Sequence, residues 1–107
     1  MPISNKPWGS ISESDYKDAE QFCGACLIDM NEPGKPKVKE QCKLPVREPG
    51  GALNRNAIHA AAAALAGARG GVDAPLAEKR RAARKLLALY RELEEEPPES
   101  IKRLAGA

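Results

Sequence analysis

The segment from Asn54 to Gly71, NRNAIHAAAAALAGARGG, constrains the fold more than any other part of the chain. It is nearly half alanine, so it has little bulk with which to fill a core. Its apolar side chains nevertheless keep helical order: Ile58, Ala61, Ala62, Leu65 and Ala66 fall at i, i+3, i+4, i+7 and i+8. Asn54 or Asn56 supplies a capping side chain at one end, and Arg69 with Gly70-Gly71 supplies a cation and a left-handed stop at the other. Small side chains on a bounded helix let a neighbouring helix approach closely. The whole chain has one Trp, one Phe and two Tyr, so its core must come from aliphatic residues and alanine.

The neighbour is the stretch VDAPLAEKRRAARKLLALYRELEEE. Asp73 and Pro75 suit the start of a helix, and Leu76, Ala83, Leu86, Leu87, Tyr90 and Leu93 form one stripe. An antiparallel helical hairpin over about 56–69 and 74–95 follows. Upstream, Tyr16, Ala19, Phe22 and Cys23 predict a short helix after the cap-type Ser14, stopped by Gly24. Two apolar-containing runs, ACLIDM and KPKVKEQCKLPV, flank Pro33-Gly34 and predict a β-hairpin over about 26–44. LPVREPGGALN reads as a connecting loop, and PPESIKRLAG as a brief terminal helix. The class expected is α+β, mainly α. Residues 1–11 read as a flexible N-terminal arm and residues 12–107 as a single small domain.

The formal charge of +2 on 107 residues identifies no partner by itself. No apolar run reaches the roughly 18 residues a membrane span needs, and MPISNKPWGS lacks the layout of a signal peptide. A soluble, cytoplasmic protein is the expectation. In that compartment thiols stay reduced, so a disulfide framework is disfavoured and the three cysteines read as small buried hydrophobes. A rival assignment is a zinc site of Cys23, Cys26, Cys42 and His59, since thiolates and imidazole suit a tetrahedral ion. Only Cys23 and Cys26 have the close spacing typical of such modules. His59 with a Cys42 or serine nucleophile lacks an orienting group and oxyanion donors, and the glycines match no phosphate-binding fingerprint. No catalytic residue is assigned. EKRRAARKLL places Arg80, Arg81, Arg84 and Lys85 on one side of a helix, where they could straddle phosphates; a solvated helix face is the alternative.

The string CKLPVREPGGALNRNAIHAAAAALAGARGGVDAP…KRRAARKLLALYRELEEEPPES resembles a small module of tailed-phage and prophage head proteins, found beside prohead-protease-like and capsid-associated reading frames. The likeness covers about residues 42–100, and more loosely Trp8 to Cys26. Its motifs are packing and turn motifs, and no protease catalytic set accompanies them. The resemblance implies a non-enzymatic structural or interaction module with a phage head component as partner, in the cytoplasm or in the virion.

Overall fold

The structure is a computed structural model that describes residues 3–67 and 70–106. The chain divides into two compact units, residues 1–57 and 58–107. It is mainly helical with a small antiparallel sheet, as the sequence predicts.

In the first unit, Asp18 starts helix α1 (Ala19–Gly24): its Oδ1 accepts from Gln21 N at 2.9 Å, satisfying one of the free amides of the first turn. The cap is therefore Asp18 and not Ser14, and Tyr16 lies before the helix. Tyr16 is buried, sets its ring edge-on to Phe22 at 5.2 Å, and donates its hydroxyl to Arg47 O. Strands β2 (Cys26–Asp29) and β3 (Cys42–Pro45) pair antiparallel, with Cys26 opposite Pro45, Ile28 opposite Lys43 and Asp29 opposite Cys42. Leu44 takes a left-handed φ of 63° just before Pro45. This is an uncommon conformation for a bulky residue. Beyond the kink, Val46 N reaches Ala25 O at 2.8 Å.

Residues 3–6, within the stretch read as a flexible arm, bond to residues 53–56. Strand β1 (Ile3–Ser4) lies parallel to β4 (Leu53–Asn54). The side-chain amide of Asn56 donates to the carbonyls of Asn5 and Lys6, and Arg55 Nε donates to Asn5 Oδ1. Asn54, fully buried, knots these pieces together. Its amide nitrogen donates to Lys6 O at 3.1 Å and to Glu48 Oε2 at 2.9 Å, while its Oδ1 accepts from Ala57 N at 2.8 Å. That last bond caps helix α2 (Arg55–Leu65), one of the roles the sequence allowed for Asn54.

In the second unit the buried face of α2 is Ile58, Ala61 and Ala62; of the rest of the stripe read from the sequence, Leu65 is half-buried and Ala66 is exposed beyond the helix end. α2 stops at Leu65, and Arg69, expected in its last turn, lies outside the described residues. Helix α3 (Leu76–Leu93) has Pro75 as its N-cap, so Asp73 does not cap it. Ala82, Ala83, Leu86, Tyr90 and Leu93 are its buried positions, whereas Leu76 is 55% exposed. The helix ends before Pro97-Pro98 because Glu94 turns left-handed at φ 59°, and Glu95 N bonds Tyr90 O at 3.0 Å. Helix α4 (Glu99–Gly106) then folds back, burying Ile101 and Ala105, and α3 with α4 is the most extensively packed helix pair. α2 joins α3 through His59, whose ring stands 5.9 Å from that of Tyr90.

Candidate functional site: a stapled loop

Cys23 and Cys42 form a disulfide, with Cα atoms 5.4 Å apart. This corrects the expectation that the thiols are all reduced, and while the bond stands neither Cys23 nor Cys42 can act as a thiolate ligand in the set Cys23, Cys26, Cys42 and His59. Two of its sulfurs are bonded to each other. Cys26 sits on the opposite face of β2 from Asp29, the residue paired with Cys42, because three steps along a strand reverse the side chain. The pairing was missed because its partners lie 19 residues apart and neither local spacing nor periodicity reports on contact between them.

The disulfide closes the loop that joins β2 to β3, residues 30–41, and a single side chain organises it. Asn31 Oδ1 accepts from Val38 N at 2.9 Å, and its Nδ2 donates to Val38 O at 3.3 Å. The same Nδ2 lies 2.8 Å from Asp29 Oδ1, 3.2 Å from Cys42 Sγ and 3.5 Å from Cys23 Sγ. Asn31 thus fastens the loop's far side to the base of the sheet. Met30 N closes the stem on Gln41 O at 2.8 Å, and a turn through Pro33 and Gly34, whose φ of 82° suits glycine, reverses the chain. Lys37 pairs with Asp29, Lys35 with Glu32 at 2.8 Å, and Lys39 Nζ donates to Glu13 O at 2.9 Å. Burial alone would raise the Asp29 carboxyl, but hydrogen bonds from Lys37 and Asn31 outweigh it and hold the group below its ordinary value.

The loop holds Val38 44% exposed. Beside it, Met30, Asn31, Glu32, Lys35, Pro36 and Gln41 line a cleft of about 450 Å³.

Cys26 is the free cysteine among the described residues. Burial, then the charges of Glu13 and Asp29, push its thiol from an ordinary 9.0 up to about 12. Reactivity follows the thiolate fraction, so alkylation of Cys26 at pH 8 should run about 1,000-fold slower in the folded protein than in urea. Iodoacetamide labelling followed by mass spectrometry measures it; equal rates would show the thiol is open to solvent. Tyr16 is raised to about 12 as well, first by burial and then by Cys26, Glu48 and Asp15. Both groups keep their protons longer in the folded state, so the stability they contribute is complete below pH 9 and is lost as pH climbs from 9 to 12.

The other residues singled out from the sequence lie in the second unit. His59 Nε2 bonds Glu95 Oε1 at 2.6 Å, an arrangement set up by the left-handed turn at Glu94. Along the basic face, Arg81 pairs with Glu78 at 3.3 Å and Arg84 Nε donates to Ala105 O at 3.3 Å, near the end of α4. Arg80 is half-buried, and its Nε is buried without a hydrogen-bond partner among the described residues. Lys85 is exposed. Arg81 and Arg84 thus have partners within the chain while remaining exposed, and Arg80 is half-buried. Among the described residues no helix is long and apolar enough to cross a membrane. The chain matches no family model, and no curated protein or solved structure shows significant similarity to it.

Proposed function

We propose that the chain is a non-enzymatic interaction module of phage or prophage origin, serving head assembly, which engages a protein partner through loop 30–41 and its exposed Val38. The observation that carries this reading is the grip of Asn31 on both backbone groups of Val38, next to the disulfide. A loop ordered before binding has already met the entropy cost of presenting its side chains, which is what a recognition loop needs. The phage setting rests on the resemblance over residues 42–100. The disulfide suits a virion component, exposed to an oxidising medium after release, better than a permanently cytoplasmic protein.

Nucleic-acid binding through α3 has less support. Arg84 serves the end of α4 and Arg81 serves Glu78, so neither is committed to phosphate.

The test is co-purification with the portal, major capsid and scaffold proteins of a tailed phage. Binding to one of them, weakened about tenfold or more by Val38→Asp, is expected, because an apolar anchor at an interface centre carries that much. No binding to any of the three, or binding unchanged by Val38→Asp, would overturn the reading.

A further inference from the structure

We infer that reduction of the Cys23–Cys42 bond turns its surroundings into a zinc-class metal site made of Cys23, Asp29 and Cys42, with Asn31 placed to supply the fourth donor. The end of α1, the end of β2 and the start of β3 bring two sulfurs and a carboxylate oxygen within 4.8 Å of one another. A tetrahedral zinc holds sulfur at about 2.3 Å and oxygen at about 2.0–2.2 Å, which sets such donors roughly 3.3–3.8 Å apart. The cluster is therefore within a small side-chain adjustment of enclosing one ion.

The three donors also converge on a common point, and a partly positive group already stands there. The Nδ2 of Asn31 contacts both sulfurs and the carboxylate at 3.5, 3.2 and 2.8 Å. An ion at that point would displace the Nδ2, and with the amide rotated its carbonyl oxygen would face the ion as the fourth donor. Two thiolates and a carboxylate around a divalent ion leave one net negative charge, and Lys37, paired with Asp29, stands beside it. Both cysteines are buried while Asp29 is partly exposed, so the site is closed on its sulfur side and open on its oxygen side.

The steps balance without further components. A dithiol breaks the S–S bond, giving two electrons and two protons and becoming a disulfide itself. The incoming cation then displaces the two thiol protons, since thiolate is the ligand form. A disulfide oxidant reverses the sequence: it takes the two electrons from the thiolates and, with two protons, becomes a dithiol, the Cys23–Cys42 bond re-forms, and the ion is expelled. This donor set differs from Cys23, Cys26, Cys42 and His59, because Asp29 and Asn31 replace Cys26 and the helix histidine.

Cobalt(II) is the probe. The full chain, reduced with a dithiol and desalted without oxygen, should take up one cobalt, show thiolate-to-metal charge-transfer absorption, and release the cobalt to zinc. The oxidised protein should take up none. Asp29→Asn, whose disulfide when oxidised reports an intact fold, should weaken cobalt binding about tenfold or more once reduced, whereas Cys26→Ser should leave it unchanged. Absence of the charge-transfer band in reduced wild-type protein would overturn the inference. So would a band that survives Asp29→Asn undiminished, or one that disappears with Cys26→Ser.

Discussion

Replacing Asn54 with alanine should lower the stability of the protein by about 3 kcal/mol, adding the loss of a helix cap to buried groups left without partners. The substitution removes three hydrogen bonds at a site with no access to water. Ala57 N–H, in the first turn of α2, loses its acceptor. Lys6 O loses one of its two amide donors, and the Glu48 carboxylate loses the other end of an interaction that, together with Ser4, keeps its proton affinity below the ordinary value. Asn56→Ala is the internal comparison. Its amide also reaches Lys6 O but is exposed, so its removal should cost about 1 kcal/mol or less. Urea unfolding of the two variants measures the difference. Equal and small effects would mean the first residues are not held in place through Asn54.

Cutting the disulfide has an effect of similar size by a different route. Cys23 and Cys42 are 19 residues apart, and releasing a loop of that length returns about 3 kcal/mol of chain entropy to the unfolded state. Cys42→Ser in the full chain, or reduction of the wild type, should therefore lower the denaturation midpoint clearly. The two treatments should differ little from each other. A disulfide whose removal leaves the midpoint unchanged would not be stapling the loop.

These two positions show where sequence reading reaches and where it stops. Asn54 was legible as a cap because an asparagine before an apolar periodic run offers its oxygen to amides that otherwise lack partners. Its second role was not legible. It joins residues about 50 positions away through β1 and β4, each two residues long and too short to carry any periodicity. The hairpin of β2 and β3 was legible from Pro33-Gly34 between two apolar runs. The helical stripes of α2 and α3 were legible from their period, although Leu76 matched the stripe and lies exposed, because it occupies the first helical position. The end of α3, expected at about residue 95, falls at Leu93 because Glu94 turns left-handed, and a glutamate in that region gives no compositional signal.

At the candidate site the cysteines were visible and their partners were not. Three cysteines permit three pairings, and only the path of the chain selects Cys23 with Cys42. Asp29 lies inside the run ACLIDM and Asn31 just before Pro33-Gly34, and nothing in their spacing singles them out. Their importance comes from being two apart at the end of a strand, so that one side chain faces the disulfide and the other reaches across the loop. The basic cluster on α3 was conspicuous in the sequence, whereas the partners of Arg81 and Arg84, Glu78 and the carbonyl of Ala105, were not.

The central claim is that Asn31 and the disulfide hold loop 30–41 in order before any partner arrives. The amide of Val38 reports on it directly, since its hydrogen bond runs to the Asn31 side chain. Hydrogen exchange at that amide, followed by NMR at neutral pH, should be slowed about 100-fold or more relative to an unstructured chain in the oxidised protein, and that protection should largely vanish on reduction or in Asn31→Ala. Exchange at the unstructured rate in the oxidised wild-type protein would contradict the claim.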